Sequence, residues 1–439
     1  MANAGHSRFT RRVAVITSCV LLAWIGCGFW NVVKPLPAGT RVSSLTARLA
    51  ESQVSFLDDV QIPGNPLKCA LELIDHAEQL VIIDQSPLSF GVAQRLLTRK
   101  IQRPGLKIVL LTDSRNEVYG GTPAKTLNSL EESGIIVART RHERLRDSNP
   151  LYSSVYRLAI AWWNDPFEEP AGAVSLGSEL RRFNLKSNQR QLLVADGNGG
   201  WSSLIMSAPL GAANSVGATG VVGLQIRGLL AREIAASEIE IARWSTDDDR
   251  LPAPPPQQSP GVGNIDARFL SEGAIRTGLL EALAGVSGGD AVDVMVGRLG
   301  DRQIVDALLE AAAHGARLRI MLDPDSQTNQ AVAAELLRNV TGSLEVRWVS
   351  SGARFVMIRH SKDVWLNLGS ANLTRRDLGD LNLASNLELR MPARAAPARA
   401  ATDHFERAWS HASLYIAHAD DSAGAYWRYR INEASGMEL

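Results

Sequence analysis

The chain has 439 residues, of which 45% are apolar and 21% charged, so it is long enough for two globular domains. Lysine plus arginine and aspartate plus glutamate balance at 46 each, and this neutral total disfavours a nucleic-acid ligand. Only Cys69 lies outside the N-terminal apolar run, which excludes a disulfide framework and a cysteine metal site in the body. We expect no metal and no cofactor.

The N-terminus has the pattern of a single-pass membrane anchor. Residues 13–33 are uncharged and apolar over a length that crosses a bilayer. Arginines cluster before this run, so the positive-inside rule predicts a cytoplasmic segment at 1–12 and an extracytoplasmic, periplasmic body. A cleaved signal peptide is the alternative, but it would have a shorter apolar core and a clear small-residue cleavage site.

Helix and strand patterns alternate after residue 65, and the second half repeats the order of the first. The segments PGLKIVLLTD and HGARLRIMLD are the same unit in the two halves. A proline-rich linker at 245–263 separates a first lobe at 34–244 from a second lobe at 264–439. We predict an α/β protein with two similar lobes after a transmembrane helix.

The repeat extends into a strand–turn–strand unit that ends in Ser-Ala, at 188–209 and again at 351–372. Sixteen positions separate Gln191 from Ser207, and sixteen also separate Arg354 from Ser370. The two units therefore align without a gap.

An aromatic-rich stretch at 149–163, NPLYSSVYRLAIAWW, has a helical pattern. It could dock on a membrane surface, but we expect it to pack in the core.

The segment GSANLTRRDL, which begins at Gly369, resembles the closing half of the repeated phospholipase D motif, His-x-Lys, four residues, Asp, then Gly-Ser-x-Asn. The C-terminal DDSAGAYWRYRINEASG adds likeness to bacterial cardiolipin-synthase-like members. The resemblance implies two lobes, each a mixed sheet flanked by helices, with one active site between them. It also implies a two-step phosphodiester displacement through a phosphohistidine, with lysines and asparagines on the phosphoryl oxygens and no metal.

Placed on that motif, both lobes have lost the histidine and the lysine. In the first lobe Gln189 takes the histidine position, Gln191 the lysine position and Asp196 the aspartate position. The sixteen-residue spacing then puts Gly352 at the second histidine position and Arg354 at the second lysine position. Glutamine and glycine cannot attack phosphorus or transfer protons at neutral pH.

His360 and Lys362 offer an alternative motif, His-Ser-Lys, close to Gly369. In the register above they fall at the turn between two strands, six to eight positions past the catalytic positions, or on the order of 20 Å along a strand. If the protein is active, these two residues are the catalytic candidates.

The resemblance therefore points to a degenerate member in which Arg354, Ser370 and Asn372 remain to bind phosphate. Ser370 and Asn372 could equally serve only to hold the turn. We predict a protein that binds a membrane phospholipid of negative charge, or a protein partner, without turnover. The alternative is an active phosphatidyltransferase or phospholipase that uses His360.

Overall fold

A computed structural model describes most of the chain. The described residues are 2–58, 64–113, 123–157, 186–210, 220–246, 248, 250–256, 263–415 and 423–435, with side chains described from residue 14 onward.

The first half begins with one long helix, α1 (Ala2–Val33), whose stretch Ala14–Val33 is long and apolar enough to cross a membrane and is almost entirely unburied. The strands that follow are β1 (Thr46–Leu49), β2 (Val54–Asp58), β3 (Ala77–Asp84), β4 (Lys107–Thr112), β5 (Ile136–Arg139), β6 (Leu192–Gly197), β7 (Gly200–Met206) and β8 (Val222–Arg227). The helices are α2 (Pro66–His76), α3 (Phe90–Gln102), α4 (Ala124–Glu132), α5 (Pro150–Val155) and α6 (Leu229–Ser245).

The second half continues after the linker. Its strands are β9 (Ile265–Ser271), β10 (Ala291–Val296), β11 (Arg317–Leu322), β12 (Ser343–Trp348), β13 (Phe355–Arg359), β14 (Asp363–Gly369), β15 (Ser385–Pro392) and β16 (Ser413–Leu414). Its helices are α7 (Gly273–Ala284), α8 (Arg302–Ala313), α9 (Gln327–Asn339), α10 (Arg375–Leu378), α11 (Ala396–His411) and α12 (Ala423–Ser435).

Local sequence signals explain several of these boundaries. The Asn65 side chain caps α2 by accepting from the N–H groups of Leu67 and Lys68, with Pro66 at the first helical position. Asp301 caps α8 in the same way. One boundary differs from the sequence pattern: PLKCALELIDHAEQL, residues 66–80, has a helical pattern throughout, whereas α2 ends at His76 and the last four residues belong to β3.

The two halves have the same sheet topology. The first sheet has the order β2-β8-β7-β6-β3-β4-β5, and the second contains the equivalent order β9-β15-β14-β13-β10-β11-β12. In each sheet the three strands β3-β4-β5 or β10-β11-β12 are parallel and their other neighbours antiparallel. The prediction of an α/β protein with two similar lobes of mixed sheet is confirmed.

The lobes share strands and core. Strand β1 precedes the first sheet in the chain but pairs with β9, as an edge strand of the second sheet. Alternate residues of β3 face opposite layers: Leu80 and Ile82 belong to a central core with Phe269 and Phe355 of the second lobe, whereas Val81 belongs to an outer core of the first lobe. The central core therefore joins the two lobes.

Candidate functional site

The two motif segments lie just before β6 and β13, at the interface between the lobes. Adding 163 to a first-lobe number gives its second-lobe equivalent, so that 189 becomes 352 and 207 becomes 370. The first segment pairs with the other lobe: the N–H of Gln189 donates to the Leu383 carbonyl at 2.8 Å, and the N–H of Leu383 donates to the Ser187 carbonyl at 2.9 Å. Gly352 lies near Gly220, the equivalent of Leu383, because a Cβ added to Gly352 would be 3.8 Å from the Gly220 carbonyl oxygen.

In the first lobe the two glutamines are held by neighbouring groups. The side-chain amide of Gln189 donates to Ser187 Oγ at 3.1 Å. Gln191 is buried and donates to the Ser86 carbonyl at 3.0 Å, while its Oε1 atom is buried with no hydrogen-bond partner in the described part of the chain. Neither side chain can replace a nucleophile, although each could offer hydrogen bonds.

Asp196, at the motif's aspartate position, hydrogen-bonds the backbone of the neighbouring strand β3. Its carboxylate accepts from the N–H groups of Gln79 at 2.9 Å and Leu80 at 2.7 Å. The ladder between β3 and β6 is irregular there, with a register shift between Ala77 and Val81. Asp196 thus supplies an acceptor where the ladder lacks one.

Arg190 lies between the two glutamines, faces the opposite side and joins the lobes. It is completely buried. Its guanidinium donates to Glu272 of the second lobe at 2.8 and 3.0 Å and to Glu238 at 2.6 Å. The sequence analysis missed this residue. The signal was the alternation of side chains, which points Arg190 away from its neighbours toward the lobe interface.

A further carboxyl group completes this cluster. Burial and then the charge of Glu238 raise the pKa of Asp84 well above its usual range. Asn188 donates to Asp84 Oδ1 at 2.8 Å. The single guanidinium brings one positive charge to three buried carboxyl groups, so the cluster favours a protonated carboxyl, in line with the raised pKa of Asp84.

In the second lobe Arg354 has no such compensation. Its Nη1 donates to the Ser370 carbonyl at 2.5 Å, and no carboxylate lies within ion-pair distance among the described residues. Burial is the largest effect and lowers its pKa; the charge of Asp377 opposes this shift, and the charge of Arg298 adds to it. A desolvated guanidinium without a carboxylate is a favourable place for an anion.

Asn372 lies beside Arg354. A Cβ added to Gly297 would be 3.1 Å from Asn372 Oδ1 and 3.9 Å from Arg354 Nε, so the two side chains converge over this glycine. The N–H of Asn372 donates to Asp377 Oδ2 at 2.9 Å, which fixes the turn. The side-chain amide has no hydrogen bond within the described ranges that would occupy it. Arg354 Nε, a donor, and Asn372 Oδ1, an acceptor, thus lie on the same side of Gly297.

Ser370 is used differently. Its hydroxyl accepts from the Ser385 N–H at 3.1 Å, and its own N–H donates to the Ser385 carbonyl at 2.9 Å. Ser207 makes the same pair with Val222, at 3.1 and 2.9 Å. Because 222 is the equivalent of 385, the two serines close the same turn in both lobes. Ser370 lies beside Arg354, whereas the first-lobe equivalent of Arg354 is Gln191.

His360 lies at the other end of β13 from Arg354. The N–H of His360 donates to the Asp363 carbonyl at 2.9 Å and closes the turn between β13 and β14. Lys362 lies in this turn. Its Nδ1 is 3.0 Å from Asp290 Oδ1, with one fifth of the side chain exposed. Antiparallel pairing of Phe355 with Leu368 puts Ser370 and Asn372 at the Arg354 end of the strand. His360 and Lys362 are therefore not near them.

The site so described combines one arginine and one asparagine amide, with glutamines and a glycine at the other histidine and lysine positions of the motif. Among the described residues no group of three histidine, cysteine or acidic side chains could hold a metal ion.

Comparison with known proteins agrees with this fold. Residues 286–409 match the family model for the cardiolipin synthase, phospholipase D-like domain. The crystal structure of phosphatidylserine synthase from Haemophilus influenzae Rd KW20 is similar over 94% of this chain and 100% of that chain, with 11% identity and a TM-score of 0.58. Nuc, a phospholipase D family member from Salmonella typhimurium, matches 34% of this chain and 98% of its own at 17% identity, with a TM-score of 0.28. A search of curated proteins found no match. The resemblance to the phospholipase D superfamily is confirmed.

Proposed function

We propose that the chain, a phospholipase D-like protein by the family match of its second lobe and by its fold, binds the phosphate of an anionic phospholipid and does not cleave it. The observation that carries the proposal is Arg354, a desolvated guanidinium that forms no ion pair with a described carboxylate and donates to a carbonyl instead. Asn372 adds a second group at the same point. The motif positions Gln189, Gln191 and Gly352 hold no nucleophile and no proton donor for phosphodiester chemistry.

The position of the anchor supports a lipid as the ligand. In this proposal α1 crosses the membrane with the lobes on the extracytoplasmic side. The N–H of Asp147 donates to the Asn31 carbonyl near the end of α1, and Lys186 bonds the Asp147 carboxylate at 2.5 Å. Lys186 is three residues before Gln189, at most about 10 Å along the chain. The first motif segment is thus tied to the end of the anchor, close to a bilayer surface.

The test measures headgroup binding and turnover with the full chain in detergent micelles. We expect dihexanoyl-phosphatidylglycerol to bind by calorimetry and dihexanoyl-phosphatidylcholine to bind more weakly. Arg354→Met should lower the affinity for dihexanoyl-phosphatidylglycerol roughly 10- to 100-fold. This corresponds to the loss of a charge-assisted hydrogen bond, at about 1.5–3 kcal/mol. Arg48→Met, an exposed arginine of the same charge, is the matched control and should leave binding unchanged.

Turnover of labelled phosphatidylglycerol and cardiolipin separates this proposal from the active phosphatidyltransferase. The wild-type chain and His360→Ala should both release no product. Product from the wild type that vanishes in His360→Ala would replace the proposal with catalysis by His360 at its turn. Binding that survives Arg354→Met would remove Arg354 as the phosphate site, and a protein partner would then be the ligand to seek.

A further inference from the structure

Helix α5 packs across α1 within the stretch of α1 that is apolar enough to span a bilayer. The indole Nε1 of Trp24 donates to the Ser154 carbonyl at 2.7 Å, and Ser154 Oγ is 3.2 Å from the Trp24 carbonyl. Trp24 lies within α1 and Ser154 within α5, so these bonds join the two helices directly. The contact is therefore made in the middle of the candidate span Ala14–Val33 and not after its end.

The two helices approach so closely because Gly28 lies at their crossing point. A Cβ at Gly28 would be 2.1 Å from Ser154 Oγ and 2.2 Å from the Pro150 carbonyl oxygen, a distance that no larger residue allows. Close crossing over glycine and serine is the usual way in which helices associate in lipid, where side-chain burial gives little driving force. The pair Gly28 and Ser154 thus has the geometry of a helix contact inside a membrane.

The depth of this contact follows from the helix rise. Gly28 precedes Val33 by five residues and Trp24 precedes it by nine, which is about 8 and 14 Å along the axis. Twenty residues span about 30 Å of hydrocarbon, the length of Ala14–Val33. Interfacial helices lie about 5–10 Å into the boundary between headgroups and acyl chains. A helix that crosses α1 at Gly28 lies at that depth.

The face of α5 that does not touch α1 is apolar and exposed. Leu151 is 77% exposed and Val155 44% exposed, and residues four apart share one face of a helix. The rings of Tyr152 and Tyr156 stack at 5.7 Å beside them. The expectation that the stretch at 149–163 packs in the core is wrong for this face of α5, and residues 158–163 lie outside the described residues. Tyrosines next to exposed leucine and valine are the composition of a membrane interface.

Charged groups gather at one side of α5, where the lipid headgroups would begin. Asp147 accepts from Ser153 at 2.6 Å, from Arg157 at 3.0 Å and from Lys186 at 2.5 Å. Lys34, the first residue after α1, donates to the Glu143 carbonyl at 2.6 Å. The segment therefore has a polar base that bonds to the body and an apolar face on which Leu151 and Val155 are exposed.

We infer that α5 is a second membrane element, which inserts beside α1 with Leu151 and Val155 in lipid. The inference rests on the proposed anchoring by α1. A single helix would let the lobes rotate about its axis, whereas two contacts fix the angle of the lobes to the membrane. Lys186 bonds Asp147 beside α5 and lies three residues before Gln189, so it connects α5 to the first motif segment. The lobe interface therefore keeps one orientation toward the headgroups.

Nitroxide labels in the full chain test this inference in liposomes of phosphatidylglycerol and phosphatidylcholine. Cys19, Cys27 and Cys69 are first replaced by alanine. Single cysteines are then introduced as Leu151→Cys on α5, Leu22→Cys on α1 and Ile101→Cys on α3, three sites that are 77%, 68% and 75% exposed. Collision rates with oxygen and with a water-soluble nickel chelate distinguish lipid from water at each label.

We expect labels 151 and 22 to collide more with oxygen and label 101 to collide more with nickel. If label 22 is in lipid but label 151 behaves as label 101 does, the inference about α5 is overturned and the anchor stands. If label 22 is itself in water, the anchor and the inference fail together. The similar exposure of the three sites excludes steric access as the cause of a difference.

Discussion

Arg190 and Arg354 are arginines of the two motif segments, and their surroundings give them opposite roles. Arg190 is surrounded by Glu238 and Glu272, so its charge is neutralised inside the protein. Arg354 faces a carbonyl and an amide, so its charge is still available to a ligand. The same side chain is therefore structural in one lobe and a binding group in the other.

Replacement of Arg190 should destabilise the fold more than loss of any surface arginine. Arg190→Met leaves two buried carboxylates without a cation, which we expect to lower the free energy of unfolding by about 3–5 kcal/mol. Chemical denaturation of the full chain in detergent measures the change. Arg48→Met removes a pair with Asp266 in which both side chains are more than half exposed, so it should cost about 0–1 kcal/mol. Equal losses in the two variants would contradict the role of Arg190.

Ser207 and Ser370 should behave as a matched pair because each hydroxyl accepts an N–H of the following strand. Ser207→Ala and Ser370→Ala each leave that N–H buried without its acceptor, at about 1–3 kcal/mol. We expect similar losses of stability from both and no change in phosphatidylglycerol affinity. A specific loss of affinity in Ser370→Ala alone would assign its hydroxyl to phosphate binding after all.

At the residue level, the equivalence of the two motif segments was predictable because the information is local, whereas the roles assigned to their residues stay predictions. The sixteen-residue spacing located both motif segments, and the structure places His360 in a turn away from Arg354 and Asn372. The partners of Arg190 were not predictable, because Glu272 is 82 positions away and belongs to the other lobe. The same limit applies to Ser370, whose bond to Ser385 depends on which strand follows the turn.

At the scale of elements, α5 is connected to the body by a buried ion pair that titrates. Burial lowers the pKa of Lys186 to about 8, and the Asp147 carboxylate opposes the shift. Between pH 8 and the usual lysine value of 10.5, the unfolded chain therefore holds a proton that the folded chain has lost. Stability rises with pH wherever the unfolded state binds more protons. The cost of burying protonated Lys186 is therefore removed across this range, and the free energy of unfolding rises.

Comparison with Lys186→Met isolates this contribution. The free energy of unfolding of the wild type, minus that of the variant, should increase by roughly 2 kcal/mol from pH 7.5 to pH 9.5. Denaturant titrations at the two pH values measure it. Lys100→Met, at a half-buried lysine on α3 whose pKa burial also lowers, should show a smaller dependence. A difference that stays constant with pH would mean that Lys186 keeps its proton in the folded state.

The helices and strands were predictable from the sequence pattern where they contact elements that are close in the chain. The alternating strands and the capped helices followed from local periodicity, as in β4 and β11. The pairing of β1 with β9 did not, since its four residues carry no signal for the second sheet. The apolar face of α5 was misassigned to the core because a short helical stretch has the same sequence pattern in a core and at a membrane surface.

At the scale of the whole molecule, the lobes share one interior. Their central core combines residues of both sheets with those of α6 and α11. Asp58, at the end of β2, accepts from Arg407 of α11 at 2.7 Å and lies 3.3 Å from Nδ1 of His404. The lobes therefore should not separate when only the linker between them is cut.

A protease site inserted after Pro256 tests this directly. The two fragments should elute together in gel filtration without denaturant, because β1 remains paired with β9 and the central core stays closed. Urea should release them only at the concentration that unfolds the chain. Asp58→Ala in the cut chain should lower that concentration, since the His404 and Arg407 contacts are lost across the interface. Fragments that separate in buffer would mean that each lobe has an independent core, and a lipid site between the lobes would then need another means of alignment.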